Sequence, residues 1–345
     1  MPPSSALRSA YPWTKTPLVA SAPMLNIASA LLAVSVSAAG GLGFLAGGFD
    51  VSNLEDNLKE AVQLIKQSNL TLQQTHTSTG ILPIGVGFLN WGADLTKSIA
   101  AIEKYRPCAV WLFGPKVIPD DLRPWAEQVR NVTDSSTKIW VQVGTVSEAI
   151  CVTEALDADV LVIQGSDAGG HGLVHSASII TLLPEVKDAL AARRLKHDIP
   201  LIGAGGIVDG RGMAASLALG ASGVAMGTRF LASTEATIAR GYQDEVLRAS
   251  DGGVSTVRST VYDRVRGILS WPVRYDGQGG TSDEENRALY EEELKKGDSG
   301  WGQTGRLTTY AGTGVGLVKE TLPAGTIVSN TIQEAKNILQ HIVDV

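Results

Sequence analysis

The stretch 200–233, "PLIGAGGIVDGRGMAASLALGASGVAMGTRFLAS", carries the repeating unit that decides the fold. An apolar run ends in glycines, a helical pattern follows, and a second apolar run ends in Gly227-Thr228. Buried strands joined by a helical crossover run parallel in one sheet. Working outward, the same beat recurs along the chain. The predicted strands are "PLVASAPM" (17–24), "GLGFLA" (41–46), "LPIGVGF" (82–88), "AVWLFG" (109–114), "KIWVQVG" (138–144), "DVLVIQG" (159–165), "PLIGAGG" (200–206) and "GVAMGT" (223–228). Between them lie amphipathic stretches such as "NLEDNLKEAVQLIKQSN", "LTKSIAAIEKYRP", "VSEAICVTEALDA" and "SIITLLPEVKDALAARRL". Continuous apolar strands with helical crossovers imply a parallel sheet covered by helices, and eight such units predict a TIM (β/α)8 barrel. A doubly wound open sheet is the competitor, but its first-turn glycine fingerprint with a following acidic residue is missing.

The eighth strand ends near Thr228, whereas the last helical pattern, "SNTIQEAKNILQHI" (329–342), comes much later and is assigned to closing the barrel. The predicted organisation is a barrel over 1–233, an inserted, mostly helical cap over 234–305, and a return segment over 306–345. An insertion after the eighth strand falls on the face where barrel loops build active sites. Within it, "EVLRAS", "RVRGILSWPVRY" and "RALYEEELKK" supply apolar anchors that a disordered linker would not need.

Composition narrows the function. The chain has 345 residues, 29 Lys+Arg against 35 Asp+Glu, and a net charge of −6, with no basic run to track phosphates along a strand. Nucleic acid is therefore not an expected partner. The two cysteines, Cys108 and Cys151, fall in core patterns and read as structural thiols of a reducing compartment. The apolar stretch 18–49 is broken by Pro23, Asn26, serines and glycines, so it is read as strand, helix, strand rather than as a membrane span. The expected location is cytoplasmic, with a mitochondrial address left open by the basic, Ser-containing "MPPSSALRSAYPWTK". A homodimer is left open as the assembly.

Glycines Gly203, Gly205 and Gly206 end the seventh strand, and Gly227-Thr228 ends the eighth. They either make tight turns only, or let backbone N–H groups approach a phosphate at the usual barrel position. "YAGTGVG" (310–316) falls near the same pole. The other strand tips are bare of charge: Ala22, Pro23 and Met24 on the first, Gln142 on the fifth. A flat aromatic ring fits such a floor, which favours a flavin over a sugar phosphate. No metal is expected, because His171 and His175 need a helix that Gly169, Gly170 and Gly172 disfavour.

The remaining question is His171 in "VIQGSDAGGHG" (162–172), which either satisfies backbone carbonyls or serves as a base. Here the residues carry a resemblance. "GSDAGGHG" after a strand, then "IPLIGAGGI", "GVAMGTRFLAS", a late "YAGTGVG", and "APM" on the first strand are together similar to the nitronate monooxygenases, formerly 2-nitropropane dioxygenases. The resemblance implies non-covalent FMN, with its phosphate at Gly205, Gly206, Gly227 and Thr228, and with Gly169, Gly170, Tyr310, Gly312 and Gly314 bordering the cofactor. It implies His171 as catalytic base, removing a proton from the carbon that bears the nitro group. The implied reaction takes a nitronate or nitroalkane and O2 to a carbonyl compound and nitrite.

FMN-dependent enoyl-acyl-carrier-protein reductases share the glycine-rich histidine loop, so an NAD(P)H-dependent enoyl-thioester reductase and a non-catalytic flavin-binding barrel are the alternatives. Inosine monophosphate dehydrogenases are set aside, because their chemistry needs a thiolate beyond the sixth strand and no cysteine follows Cys151. His175 reads as a polar neighbour of the ring or as surface. Asp167 reads as a residue that orients the loop or caps a turn. Trp91, Trp271 and Trp301 read as pocket lining or cap packing, and His76, His197 and His341 as ordinary loop or helix-face residues.

Overall fold

The structure, a computed structural model, describes residues 3–193, 198–268, 270–275, 284–302 and 305–343. Eight parallel strands are ordered β1-β8-β7-β6-β5-β4-β3-β2. They are β1 (Leu18–Ser21), β2 (Phe44–Gly48), β3 (Leu82–Leu89), β4 (Pro107–Phe113), β5 (Lys138–Val143), β6 (Val160–Gln164), β7 (Leu201–Ala204) and β8 (Gly223–Met226). The remaining seam, between β1 and β2, is a single parallel bridge from Ala20 to Leu42. It is held by Leu42 N–H donating to the Val19 carbonyl at 2.9 Å and Ser21 N–H donating to the Leu42 carbonyl at 3.1 Å.

The helices are α1 (Pro3–Ala10), α2 (Ala30–Ala38), α3 (Leu54–Gln67), α4 (Leu70–Thr79), α5 (Leu95–Tyr105), α6 (Arg123–Thr133), α7 (Val146–Leu156), α8 (Ile179–Ala191) and α9 (Gly210–Ala218). After β8 come α10 (Thr228–Leu231), α11 (Arg240–Arg248), α12 (Gly252–Ser255), α13 (Val261–Val265), α14 (Glu284–Leu294) and α15 (Ala324–Val343). Side-chain caps start several crossovers: Ser29, Asp94, Thr145 and Asp209 each accept a backbone N–H from the first turn. At Asp209, burial opposes ionisation, but hydrogen bonds from Arg211 and from the Arg211 and Gly212 N–H groups hold the carboxyl below its usual range. Helix α15 packs on α9 and α2 and so covers the β8–β1 sector, as expected of a closing helix.

All eight strands lie where the apolar runs predicted, with shifted ends. β1 stops at Ser21, so Ala22, Pro23 and Met24 belong to a loop. β2 begins at Phe44; Gly43 before it donates its N–H to Ser37 Oγ at 3.0 Å and packs on α2 where a Cβ would sit 1.8 Å from the Ala33 carbonyl oxygen. Helix α15 starts at Ala324, ahead of the expected 329, just after Pro323, which suits a first turn. Helix α4, "LTLQQTHTST", was not expected; it is Thr-rich and lacks a clear apolar stripe, but Asn69 caps it by accepting from Leu72 N–H. No helix among the described residues is long and apolar enough to cross a membrane.

The barrel interior is packed with aromatic rings. Phe44 stands edge-on to Trp111, with centroids 5.1 Å apart, and contacts Trp140 at 5.0 Å. Below them Tyr11 plugs the end of the barrel, its hydroxyl accepting from Trp140 Nε1–H at 2.7 Å. Space for Phe44 is made by Gly85, where a Cβ would fall 2.2 Å from the ring. Phe44 is fully buried, so Phe44→Ala is expected to lower the unfolding free energy by about 3–5 kcal/mol in chemical denaturation. A loss below about 1 kcal/mol would show that the lumen is not packed as described.

Candidate functional site

A cavity of about 430 Å³ opens at the C-terminal ends of the strands, a size usual for a small-molecule site. Its floor holds Trp111 and Gln142. Trp111 Nε1–H donates to Gln142 Oε1 at 2.9 Å, which leaves the Gln142 amide N–H groups as donors for a ligand. The β1–α2 loop contributes Ala22, Pro23 and Met24 to the wall. Pro23 lies so close to β3 that a Cβ on Gly87 would be 2.2 Å from it.

At the tip of β7, Gly205 and Gly206 have φ of 110° and 72°, in the left-handed region that favours glycine. Both line the cavity, as do Gly227 and Thr228 after β8 and Gly169 and Gly170 after β6. The 310–316 loop closes this pole, with Tyr310 and Gly314 in the lining. Gly312 N–H donates to Thr228 Oγ1 at 2.9 Å, so Gly312 borders the site through Thr228 rather than lining it. The two glycine-rich loops touch backbone to backbone: a Cβ on Gly169 would lie 2.4 Å from Gly312 N. Gly203 is a correction to the expected set. It lies within β7, and its Cβ position faces Ser216 on α9 at 3.4 Å, because side chains alternate along a strand and this one points outward.

His171 stands in the cavity wall with its side chain 14 % exposed. Its Nε2 lies 2.9 Å from Asp263 Oδ2, and its ring stacks on Trp271 with centroids 3.8 Å apart and planes 6° from parallel. Asp263 Oδ1 accepts from the Tyr310 hydroxyl at 3.2 Å. Burial, then the neighbouring Asp263 charge, pushes the Tyr310 phenol well above its ordinary range, so it stays a donor. The loop backbone is held as well. Gln164 Nε2–H donates to the His171 carbonyl at 3.1 Å, and Arg258 donates to the carbonyls of Ser166, Ala168 and Gly170.

The open alternatives resolve by position. His175 is exposed surface. Asp167 orients the loop, its carboxylate and carbonyl accepting from Thr313. Trp271 and Trp301 line the cavity, whereas Trp91 packs between Phe49 and Trp271. His76 Nδ1 lies 3.2 Å from the Ile81 carbonyl and His341 is exposed on α15, while His197 lies outside the described residues. Cys108 and Cys151 form no disulfide. Among the described residues no group of three metal-ligating side chains converges.

Gln164, Tyr242, Asp263 and Arg258 were not picked out in the sequence. Gln164 carried a signal, since it is an amide at a strand tip like Gln142. Asp263 sits in "YDRV" within the insertion, where nothing local marks it.

Behind Trp271, burial pushes the Tyr275 phenol up to about 12, with Arg274 pulling it down and Asp121 adding to the rise. A phenol whose folded value exceeds its unfolded value of about 10 stabilises the fold below pH 10 and loses that contribution as pH rises through 12. Tyr275→Phe is therefore expected to flatten part of the decline in unfolding free energy between about pH 10 and 12. An equally steep decline in the variant would contradict this.

With the geometry in place, likeness to known proteins can be set beside it. A family model for nitronate monooxygenase matches residues 109–334. The nitronate monooxygenase npaC of Metarhizium robertsii is 46% identical over 98% of this chain and 96% of its own length. A nitronate monooxygenase of Neurospora crassa is 35% identical over 97% of this chain and 93% of its own. Among solved structures, FabK from Thermotoga maritima matches with a TM-score of 0.70 at 23% identity, covering 98% of both chains, which is a likeness of fold.

Proposed function

The chain belongs to the nitronate monooxygenase family of flavin-dependent oxidoreductases, and from that premise we propose that it binds FMN in the strand-tip cavity and oxidises nitronates or nitroalkanes with O2, His171 acting as base. The observation that carries this reading is the placement of His171 in the wall of a cavity rimmed by glycines on three successive strand tips. The products are a carbonyl compound and nitrite. The region 234–305 serves as the cap over the site.

The residues present fit FMN. A Cβ on Gly227 would make only ordinary contacts, 3.6 Å to Ala22 and 3.7 Å to Met24, so internal packing does not demand glycine there. Close approach of a ligand to the backbone does. The hydroxyl of Thr228 accepts from Gly312 N–H and retains its own proton for a phosphate oxygen. Gln142 offers its amide N–H groups to the ring system, and Ala22, Pro23 and Met24 give it an uncharged wall. Bound flavin supplies an electron acceptor that oxygen returns to its oxidised form.

The protein's own part is substrate binding and proton handling. Phe49, Phe113, Trp271 and Tyr310 bound an apolar space beside His171 that excludes water from the alkyl chain. His171 faces this space and can act as the general base that takes the proton from a neutral nitroalkane. A preformed nitronate has already lost that proton.

With an alkyl nitronate, oxygen uptake and nitrite release are expected without added nicotinamide; a strict requirement for NAD(P)H would move the assignment to an enoyl-thioester reductase. In His171→Asn, kcat/KM for the neutral nitroalkane is expected to fall about 10²- to 10⁴-fold further than kcat/KM for its nitronate. Equal losses on both would overturn the base role. Thr228→Val is expected to weaken FMN retention about ten-fold or more, as read from the flavin-to-protein absorbance ratio after dialysis, because a hydrogen bond to a charged group is worth about 1.5–3 kcal/mol. Undiminished retention would remove Thr228 from the phosphate site.

A further inference from the structure

The inserted segment does more than cover the cavity. Asp263, on α13, is 5 % exposed and has one partner at each oxygen: the Tyr310 hydroxyl donates to Oδ1 at 3.2 Å and His171 Nε2 lies 2.9 Å from Oδ2. The same segment supplies Trp271, whose ring lies flat on the imidazole, and Arg258, which binds the carbonyls of the His171 loop. The plane of the imidazole is thus set by Trp271 and its direction within that plane by Asp263.

We propose that Asp263 is a positioning residue for His171, so that the base is assembled from two parts of the chain, the ring from the loop after β6 and the orienting carboxylate from α13. An ionised carboxylate only accepts hydrogen bonds, so His171 Nε2 must carry the proton that points at Asp263. The neutral ring then holds its lone pair on Nδ1. When a nitroalkane loses its proton, the C–H bond breaks, an N–H bond forms at that other nitrogen, and the electron pair left on carbon moves into the nitro group. The imidazolium so formed lies beside the Asp263 carboxylate, which offsets its charge. This step rests on the base role proposed above; the orientation of the ring does not.

The pairing with Tyr310 makes the consequence specific. An amide at position 263 has one acceptor oxygen where the carboxylate has two. In Asp263→Asn, Tyr310 O–H and His171 Nε2–H compete for it. If the oxygen serves Tyr310, the amide N–H group faces Nε2 and drives the ring proton to Nδ1. Removing the competitor with Tyr310→Phe lets the amide turn its oxygen to His171.

The test uses the full-length FMN-loaded protein with ring-¹⁵N-labelled histidine. The chain has five histidines, and His171→Asn identifies the signal of interest. At a pH where the ring is neutral, the ¹⁵N shifts are expected to report the Nε2–H tautomer in wild type and the Nδ1–H tautomer in Asp263→Asn. Return towards Nε2–H is expected in Asp263→Asn/Tyr310→Phe and in Asp263→Glu. In parallel, Asp263→Asn is expected to lower kcat/KM for nitroethane about 10²- to 10⁴-fold further than for ethyl nitronate. A purely structural anchor would leave the tautomer unchanged and lower both activities together, and either result overturns the proposal. Loss of the base role would show differently, as equal effects of His171→Asn on both substrates while the tautomer still follows residue 263.

Discussion

The enclosure of the site depends on closure of the strand ring at the β1–β2 seam, where one bridge and two backbone hydrogen bonds do what longer ladders do elsewhere. Parallel strands buried on both faces leave no polar surface along their length, so chemistry is confined to their tips. The β7–β8 and β8–β1 ladders set the tips of these three strands side by side: Ala22 N–H donates to the Met226 carbonyl at 2.9 Å, which aligns the Ala22–Met24 loop with Gly227 and Thr228. An open sheet with the same strands would keep the glycine tips of β6, β7 and β8 adjacent, but would not set Gly87, Trp111 and Gln142 of β3, β4 and β5 across one cavity from them.

The parts of the fold legible in the sequence are those whose signal is local. Each strand is a short apolar run, and the crossovers show helical periodicity, so order and number follow directly. The ends of elements do not, because tertiary contact decides them: Gly43 looks like strand but gives its N–H to Ser37 and packs on Ala33, and the run after Ser21 turns away to form the cavity wall. Helix α4 owes its existence to an Asn69 cap and to packing on α3 and β3, neither visible in a Thr-rich string.

The site divides in the same way. Most glycines of the strand tips, Gln142 and His171 can be placed at the cavity from the sequence because a barrel puts strand ends on one face, and Tyr310 because its glycine-rich loop returns to the same pole. Gly203 was misjudged by one step of strand alternation. Asp263, Arg258 and Tyr242 were invisible because the segments that hold them meet the barrel only in three dimensions, and a carboxylate some ninety positions from the histidine it contacts leaves no spacing to detect. Tyr242 shows how such residues act at a distance: its hydroxyl donates to the Tyr310 carbonyl at 2.8 Å and accepts from Tyr310 N–H at 2.7 Å, fixing the backbone of the residue whose phenol bonds Asp263. The wall around His171 is thus held from both the barrel and the segments that follow β8.

The most direct measurement is an anaerobic absorbance spectrum of the purified protein before and after an alkyl nitronate, and separately after NADPH. Flavin bands that bleach with the nitronate alone are expected if the cavity holds FMN and the nitro compound is the electron donor. Bleaching only with NADPH, or no flavin bands at all, would contradict the proposed chemistry.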